Sequence, residues 1–178
     1  MNPEFSRVWR LDTLGAEPRA VRIEAEEAER AALAARFGLV AIHRLEAEAE
    51  LSRQGESLLA AGILRAAVAQ SCVASGEPVE EELEAPFRIE FRPSPASGGS
   101  DEEIELGEGD LDTVFYDGAA IDLGEAVAET LSLSLDPYPR APGAESTLRE
   151  AGVKDEEEVA RESSPFAALQ RLKDELGK

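Results

Sequence analysis

Residues 57–74, SLLAAGILRAAVAQSCVA, read in two ways, and the choice between them sets the fold. The alanine content favours a helix by intrinsic propensity. Read with a period of two, Leu58, Ala60, Leu64, Ala66, Val68 and Cys72 line one face, as in a strand with one buried side. Taken alone, the stretch leaves both readings open. Its neighbours are clearer. Over residues 44–51, Leu45, Ala47, Ala49 and Leu51 face one way and Arg44, Glu46, Glu48 and Glu50 the other. Over residues 83–92, Phe87, Ile89 and Phe91 alternate with Arg88, Glu90 and Arg92. Both patterns predict half-buried strands. Gln54-Gly55-Glu56 and Ser75-Gly76-Glu77-Pro78 supply turns on either side of the ambiguous run.

Toward the N-terminus, Phe5 to Arg10 and Ala20 to Ile23 are rich in aromatic and β-branched residues, which predicts two short strands. Residues 25–37 predict a helix, with Glu26, Glu27 and Glu29 at its start, Arg36 near its end and Gly38 as the stop. Toward the C-terminus, residues 93–103 read as a flexible insert. Residues 104–106 and 113–116 predict short strands, and Asp117-Gly118 a turn. Asp122 is placed to cap a following helix, with Glu125 reaching back to complete a capping box. Leu123, Val127 and Leu131 form that helix's apolar face, and Pro137 and Pro139 end it.

The elements predict an α+β fold: an antiparallel sheet, open or curling into a partly closed barrel, with two flanking helices. The domain is expected over residues 1–139. A disordered linker is expected over 140–163, where Pro142, Gly143 and an acidic run dominate. A short amphipathic helix is expected over 164–177, opened by Ser164-Pro165 and striped by Phe166, Leu169, Leu172 and Leu176.

The charge is uneven. With 38 acidic and 18 basic residues, the 178-residue chain carries a net −20. Residues 1–45 balance seven arginines against seven acids, whereas residues 101–136 hold twelve acids and no base. Such a field repels a phosphate backbone and attracts a basic protein. No apolar run approaches the roughly 20 residues that cross a bilayer. The first residues lack a basic-then-apolar leader, so a cytoplasmic protein is expected. One cysteine, Cys72, and one histidine, His43, leave few ways to build a zinc site or a nucleophile–base pair. No cofactor or metal site is expected, and both residues read as structural.

Several segments resemble the YceD-like family of bacterial and plastid proteins. These are residues 29–39 (ERAALAARFGL), Ala69-Gln70-Ser71-Cys72-Val73 followed by Glu77-Pro78-Val79, and Ile121-Asp122-Leu123-Gly124-Glu125. Leu133 to Pro139 and Ser164 to Leu169 match its C-terminal elements. The resemblance implies strands over residues 57–74 and a role in accumulation of 23S ribosomal RNA. It also marks a departure, because some relatives carry a cysteine cluster after the proline-rich segment and residues 140–152 have none.

The function expected from charge and resemblance is that of a non-enzymatic factor in large ribosomal subunit biogenesis. Its partner would be a basic ribosomal protein or a pre-large-subunit particle, with direct RNA contact left open. The candidate partner-binding residues are Glu77 and Pro78 in the turn, Asp110, Asp112 and Asp117 in the acidic region, and Phe166, Leu169 and Leu172 in the final helix. That helix either packs back on the domain or docks in a partner's groove. Arg7, Arg10, Arg19 and Arg22 are expected to face the assembling particle. Two other classes remain. A magnesium-dependent enzyme acting on ribosomal RNA precursors would need Asp110, Asp112, Asp117 and Asp122 together. An acidic adaptor for an unrelated basic protein needs only the charge.

Overall fold

Alternation prevails over propensity in the deciding stretch. In the computed structural model, which describes residues 3–15, 17–94, 112–154 and 159, three long strands run as a meander. They are β3 (Ala41–Gln54), β4 (Ser57–Ser71) and β5 (Pro78–Pro93). β4 pairs antiparallel with β3 on one side and β5 on the other. Leu58, Ala60, Leu64, Ala66 and Val68 are buried, as the period-two reading requires. Neighbours on both sides satisfy the β4 backbone, and this outweighs the few tenths of a kcal/mol per residue by which alanine favours a helix.

Two shorter strands complete the sheet in the order β2-β3-β4-β5-β6, with β2 at Arg19–Glu24 and β6 at Asp112–Tyr116. The sheet departs from expectation in two ways. β6 runs parallel to β5, with Ile89 opposite Asp112 and Pro93 opposite Tyr116, so the sheet is mixed rather than antiparallel. It is also open, because β2 and β6 stand at opposite edges and do not meet, which leaves the barrel expectation without support. A parallel neighbour requires the chain to return to its starting level, and no local pattern in β6 shows that crossover. A separate ribbon joins β1 (Val8–Arg10) to β7 (Ala120–Asp122). The strand expected over 104–106 and most of the insert expected over 93–103 lie outside the described residues.

Helices α1 (Glu27–Phe37) and α2 (Leu123–Ser134) cover the sheet's inner face. Leu33 from α1 and Leu123, Val127 and Leu131 from α2 are wholly buried beside Leu45, Leu64, Val68 and Phe91. Gly38 ends α1 at φ 68°, its N–H on the Ala34 carbonyl. The outer face carries the alternate residues, where Arg22 meets Glu46 at 2.7 Å and Arg65 meets Glu84 at 2.7 Å.

Glycine is required at two crossings. A Cβ on Gly62 would lie 2.1 Å from the Glu48 carbonyl oxygen across the β3–β4 ladder. A Cβ on Gly124 would lie 2.6 Å from the Phe5 carbonyl oxygen, where the first turn of α2 presses on the N-terminal segment. Asp122 caps α2 as expected, accepting from the amides of Gly124 (3.0 Å) and Glu125 (3.3 Å). It also takes the Arg7 amide at 2.7 Å and the Ser6 hydroxyl, so one carboxylate ties the N-terminus to the helix. Glu125 does not close the capping box. It forms a two-toothed pair with Arg36 at 2.8 and 3.0 Å, since a guanidinium is a stronger partner than a backbone amide.

Part of the stretch expected as a disordered linker is ordered. Residues Ala144–Glu150 form α3, and Ala141 and Ala144 bury themselves against Cys72. Ala144 is the one buried residue of α3, so the segment's composition reads as a loop.

Candidate functional site

Three of the segments that carry the family resemblance are far apart in sequence and meet at one end of the sheet. The end of α1 and its exit bring Phe37, Gly38 and Leu39. The end of β4 brings Gln70 and Ser71, followed by Val73. The last turn of α2 and the chain beyond it bring Ser132, Leu133, Leu135, Asp136, Pro137 and Pro139. Together they line an open groove of about 520 Å³.

The groove is built firmly from below. Gln70 is the one buried polar side chain among the described residues. Its amide donates to the Asp136 carbonyl and to the Glu81 carboxylate, each at 3.2 Å, which fixes the loop after α2 to β4 and β5. The Val73 amide donates to the Pro139 carbonyl at 3.0 Å. The Asp136 carboxylate accepts the Tyr138 amide at 2.9 Å, and two prolines flank that tyrosine. Proline fixes φ and the hydrogen bonds fix the rest, so this loop has little conformational freedom to lose on binding.

The groove nevertheless shows large apolar groups to water. Leu133, in the last turn of α2, is 82% exposed and Val73 is more than half exposed, and both line it; Tyr138, 71% exposed, stands between two lining prolines. Single exposed apolar residues need no explanation, but Leu133 and Val73 on one pre-shaped groove, with Tyr138 beside it, mark an interaction surface. Carboxylates stand around them. Asp136 lines the groove, and Glu77 and Glu80 are exposed on the adjoining turn and strand.

The turn that holds Val73 is closed by its own bonds. The Cys72 amide donates to the Glu77 carbonyl at 2.7 Å, and the Gly76 amide to the Cys72 carbonyl at 2.9 Å. Two backbone amides point at the Cys72 sulfur, from Ala141 at 3.3 Å and Ser75 at 3.4 Å. The Ala141 amide, then Ser75, favour the thiolate and bring the thiol down to about 6. Cys72 itself is buried, which matches a structural role and fastens α3 to the turn.

The residues singled out from the sequence divide among several places. Glu77 and Pro78 are exposed at the start of β5, beside the groove but not in its lining. Asp112 opens β6, and Asp117 follows it. Asp117, Asp122, Glu125 and Glu129 line a second groove with Phe115 and Tyr116. Asp122 and Glu125 are engaged there by the helix cap and by Arg36, and among the described residues no cluster of carboxylates, cysteine or histidine has the arrangement of a metal site. Asp110, Phe166, Leu169 and Leu172 lie outside the described residues.

The four N-terminal arginines have partners within the fold. Arg7 binds both Glu29 oxygens at 2.7 and 2.8 Å, which lowers the Glu29 carboxyl. Arg10 holds Asp12 and Arg22 holds Glu46, while Arg19 stacks on Trp9 at 4.9 Å. His43 meets Glu80 at 3.1 Å on the exposed face. That contact crosses from β3 to β5 over β4, a proximity that sequence spacing does not show.

Leu133, Tyr138, Val73 and Gln70 were not singled out as binding residues by sequence reasoning. A signal existed for two of them. Leu133 falls off the Leu123-Val127-Leu131 stripe, and Tyr138 sits between prolines that hold it away from any core.

Compared with known families, residues 60–173 match the family model described as Large ribosomal RNA subunit accumulation protein YceD. The match takes in the groove's β4, turn and α2 walls and leaves out α1. No curated protein and no solved structure matches the chain.

Proposed function

From the premise that this chain belongs to the YceD family, we propose that it supports accumulation of 23S ribosomal RNA as a non-enzymatic factor in large-subunit assembly. It does so by binding a basic ribosomal protein or an assembly intermediate of the large subunit. Acting on a nascent particle places it in the cytoplasm. The observation that carries this reading is the groove at the end of β4. Family-like segments build it, buried bonds stiffen it, and it displays Leu133 and Val73 beside carboxylates, with Tyr138 at its side. An apolar anchor gives affinity, and the surrounding charge selects a cationic partner and speeds encounter.

The charge distribution supports the same partner class. From Asp112 to Asp136 the described chain carries six acids and no base. Arg7, Arg10 and Arg22 hold acidic partners within the fold and Arg19 stacks on Trp9, which supports a cationic contribution from the partner. The magnesium-dependent alternative draws on Asp122, whose carboxylate is already committed to three amides and a hydroxyl.

A pull-down from growing cells, with the tagged full chain at low and at moderate salt, tests the proposal. Recovery of large-subunit proteins or precursor RNA at low salt is expected. The yield falls as the screening length shortens to about 8 Å at physiological strength. Recovery of neither at either salt refutes the reading.

A further inference from the structure

We propose that a groove beside α3 binds one nucleotide of single-stranded RNA, its phosphate held by Arg140 and Arg149 and its base laid on Leu148 and Val153. The groove has a volume of about 310 Å³ and is lined by Arg140, Glu145, Leu148, Arg149, Val153 and Lys154. Sites for small ligands begin near about 300 Å³, so the space suits a single nucleotide unit.

The backbone brings these residues together. The Pro139 carbonyl accepts the Val73 amide at 3.0 Å, and the Ala141 amide donates to the Cys72 sulfur at 3.3 Å, so Arg140 is held between two anchored neighbours. Gly143, at φ 96°, turns the chain into α3, which carries Leu148 and Arg149. The helix ends in a Schellman motif. The Gly152 amide donates to the Arg149 carbonyl and the Val153 amide to the Leu148 carbonyl, each at 2.9 Å, with Gly152 at φ 81°. The motif turns Val153 and Lys154 back toward Leu148. It also engages two carbonyls that would otherwise repel an anion at this end of the helix.

The charge of this groove opposes that of the chain. The grooves at Asp136 and at Asp117 are lined by acids and no base, whereas this one sets three cations against Glu145. Arg7, Arg10, Arg22, Arg36, Arg65 and Arg92 each hold a carboxylate. Among the described residues, Arg140 and Arg149 hold none within 4.0 Å, and both are exposed. A planar guanidinium fork matches two phosphate oxygens, and an apolar floor takes the face of a base. Leu148 is half-buried and Val153 is 52% exposed, so that floor is open. The apolar pair beside the cations favours a nucleotide over a bare carboxylate. The choice of RNA rests on the ribosomal reading above. With a net −20 the chain repels a long polyanion, so the contact is short, local and salt-sensitive.

Fluorescence anisotropy of a short labelled oligoadenylate with the purified full chain tests the site. The full chain is used so that Asp155 to Glu158, which follow Lys154 in the sequence, compete as they do in the protein. Binding is expected at low salt, with a logarithmic salt slope of roughly −0.7 for each phosphate engaged. Arg140→Ala and Arg149→Ala should each weaken it at least about threefold and flatten that slope. Arg88→Ala removes the same charge from the exposed face of β5 and should change neither. Val153→Ser should weaken binding with the slope unaltered, and Glu145→Gln should tighten it. An unchanged far-ultraviolet circular dichroism spectrum verifies the fold of each variant. Absence of wild-type binding at low salt overturns the proposal, as does an equal loss in Arg88→Ala. Displacement by polyglutamate or by inorganic phosphate as readily as by unlabelled oligoadenylate overturns it too, because the groove would then read negative charge alone. The measurement contains no ribosomal protein, so its failure leaves protein capture at the Asp136 groove standing. Leu133→Asp, which removes that capture, should leave oligoadenylate binding unchanged.

Discussion

Replacing Gly62 by alanine inserts one methyl group where β3 and β4 approach most closely. The new Cβ would lie 2.1 Å from the Glu48 carbonyl oxygen, 2.7 Å from the Ala49 Cα and 2.9 Å from the Ala49 Cβ. Ordinary contacts between such atoms are about 3.5 Å. Two of the three obstacles are backbone, so no rotamer change relieves them, and β3 must move by more than about 1 Å. That movement strains a ladder running from Ala41 to Gln54 and the α1 helix packed on it. Overpacking of this kind costs about 1–3 kcal/mol. The loss of unfolded-state freedom on going from glycine to alanine returns about 0.5–1 kcal/mol. A net loss of about 1 kcal/mol is expected, and with a urea slope near 1–2 kcal/mol/M the midpoint falls by about 0.5–1 M. Urea titration followed by far-ultraviolet circular dichroism measures it. Gly15→Ala is the control, because nothing lies within 4 Å of its Cβ position and its φ is not positive. A Gly62→Ala midpoint equal to that of Gly15→Ala would refute the close approach and with it the β3–β4 register.

Other outcomes follow from the remaining geometry. Gly124→Ala should destabilise by a similar amount, read by the same titration, because its Cβ meets Phe5 and Arg7 backbone atoms at 2.6 and 2.8 Å. Cys72→Ser should change how stability depends on pH. The folded thiol is lowered to about 6, so its contribution is complete above the unfolded value of about 8.5 and fades as pH falls toward 6. Wild-type stability should therefore rise from pH 6 to 8.5 relative to the variant, and parallel curves would contradict the amide contacts to sulfur. Glu29→Gln should flatten the acid limb of the wild-type curve, since the Arg7 guanidinium lowers the Glu29 carboxyl and that stabilisation is lost as pH falls through the folded value. Leu133→Asp should leave the urea midpoint nearly unchanged, because the side chain is 82% exposed, yet remove most large-subunit material from a pull-down.

The period-two strands were legible because burial on one side writes itself into alternate positions, as at Leu45, Ala47, Ala49 and Leu51. The α2 cap was legible for a similar reason, since Asp122 serves a local need. What escaped notice was non-local. Glu125 looked like half of a capping box until Arg36, 89 positions away, claimed it. β6 pairs in parallel through a crossover that no residue of β6 announces. α3 escaped because two alanines and a cysteine suffice to seat it. The groove escaped for the same reason: its walls come from three separate segments, and exposure of Leu133 or Tyr138 is a property of the assembled surface. The acidic residues were conspicuous in the sequence, yet several of them, Glu29, Asp122 and Glu125 among them, are tied up within the fold.

Whether the molecule works by docking on an assembling large subunit is tested most directly by sedimentation. Lysates of growing cells carrying the tagged wild-type chain, or its Leu133→Asp variant, are resolved on a sucrose gradient at moderate salt. Co-migration of the wild type with large-subunit precursors, and retention of the variant at the top with an unchanged fold, is the predicted result. Wild-type protein confined to the top of the gradient, or a variant that co-migrates equally well, would contradict it.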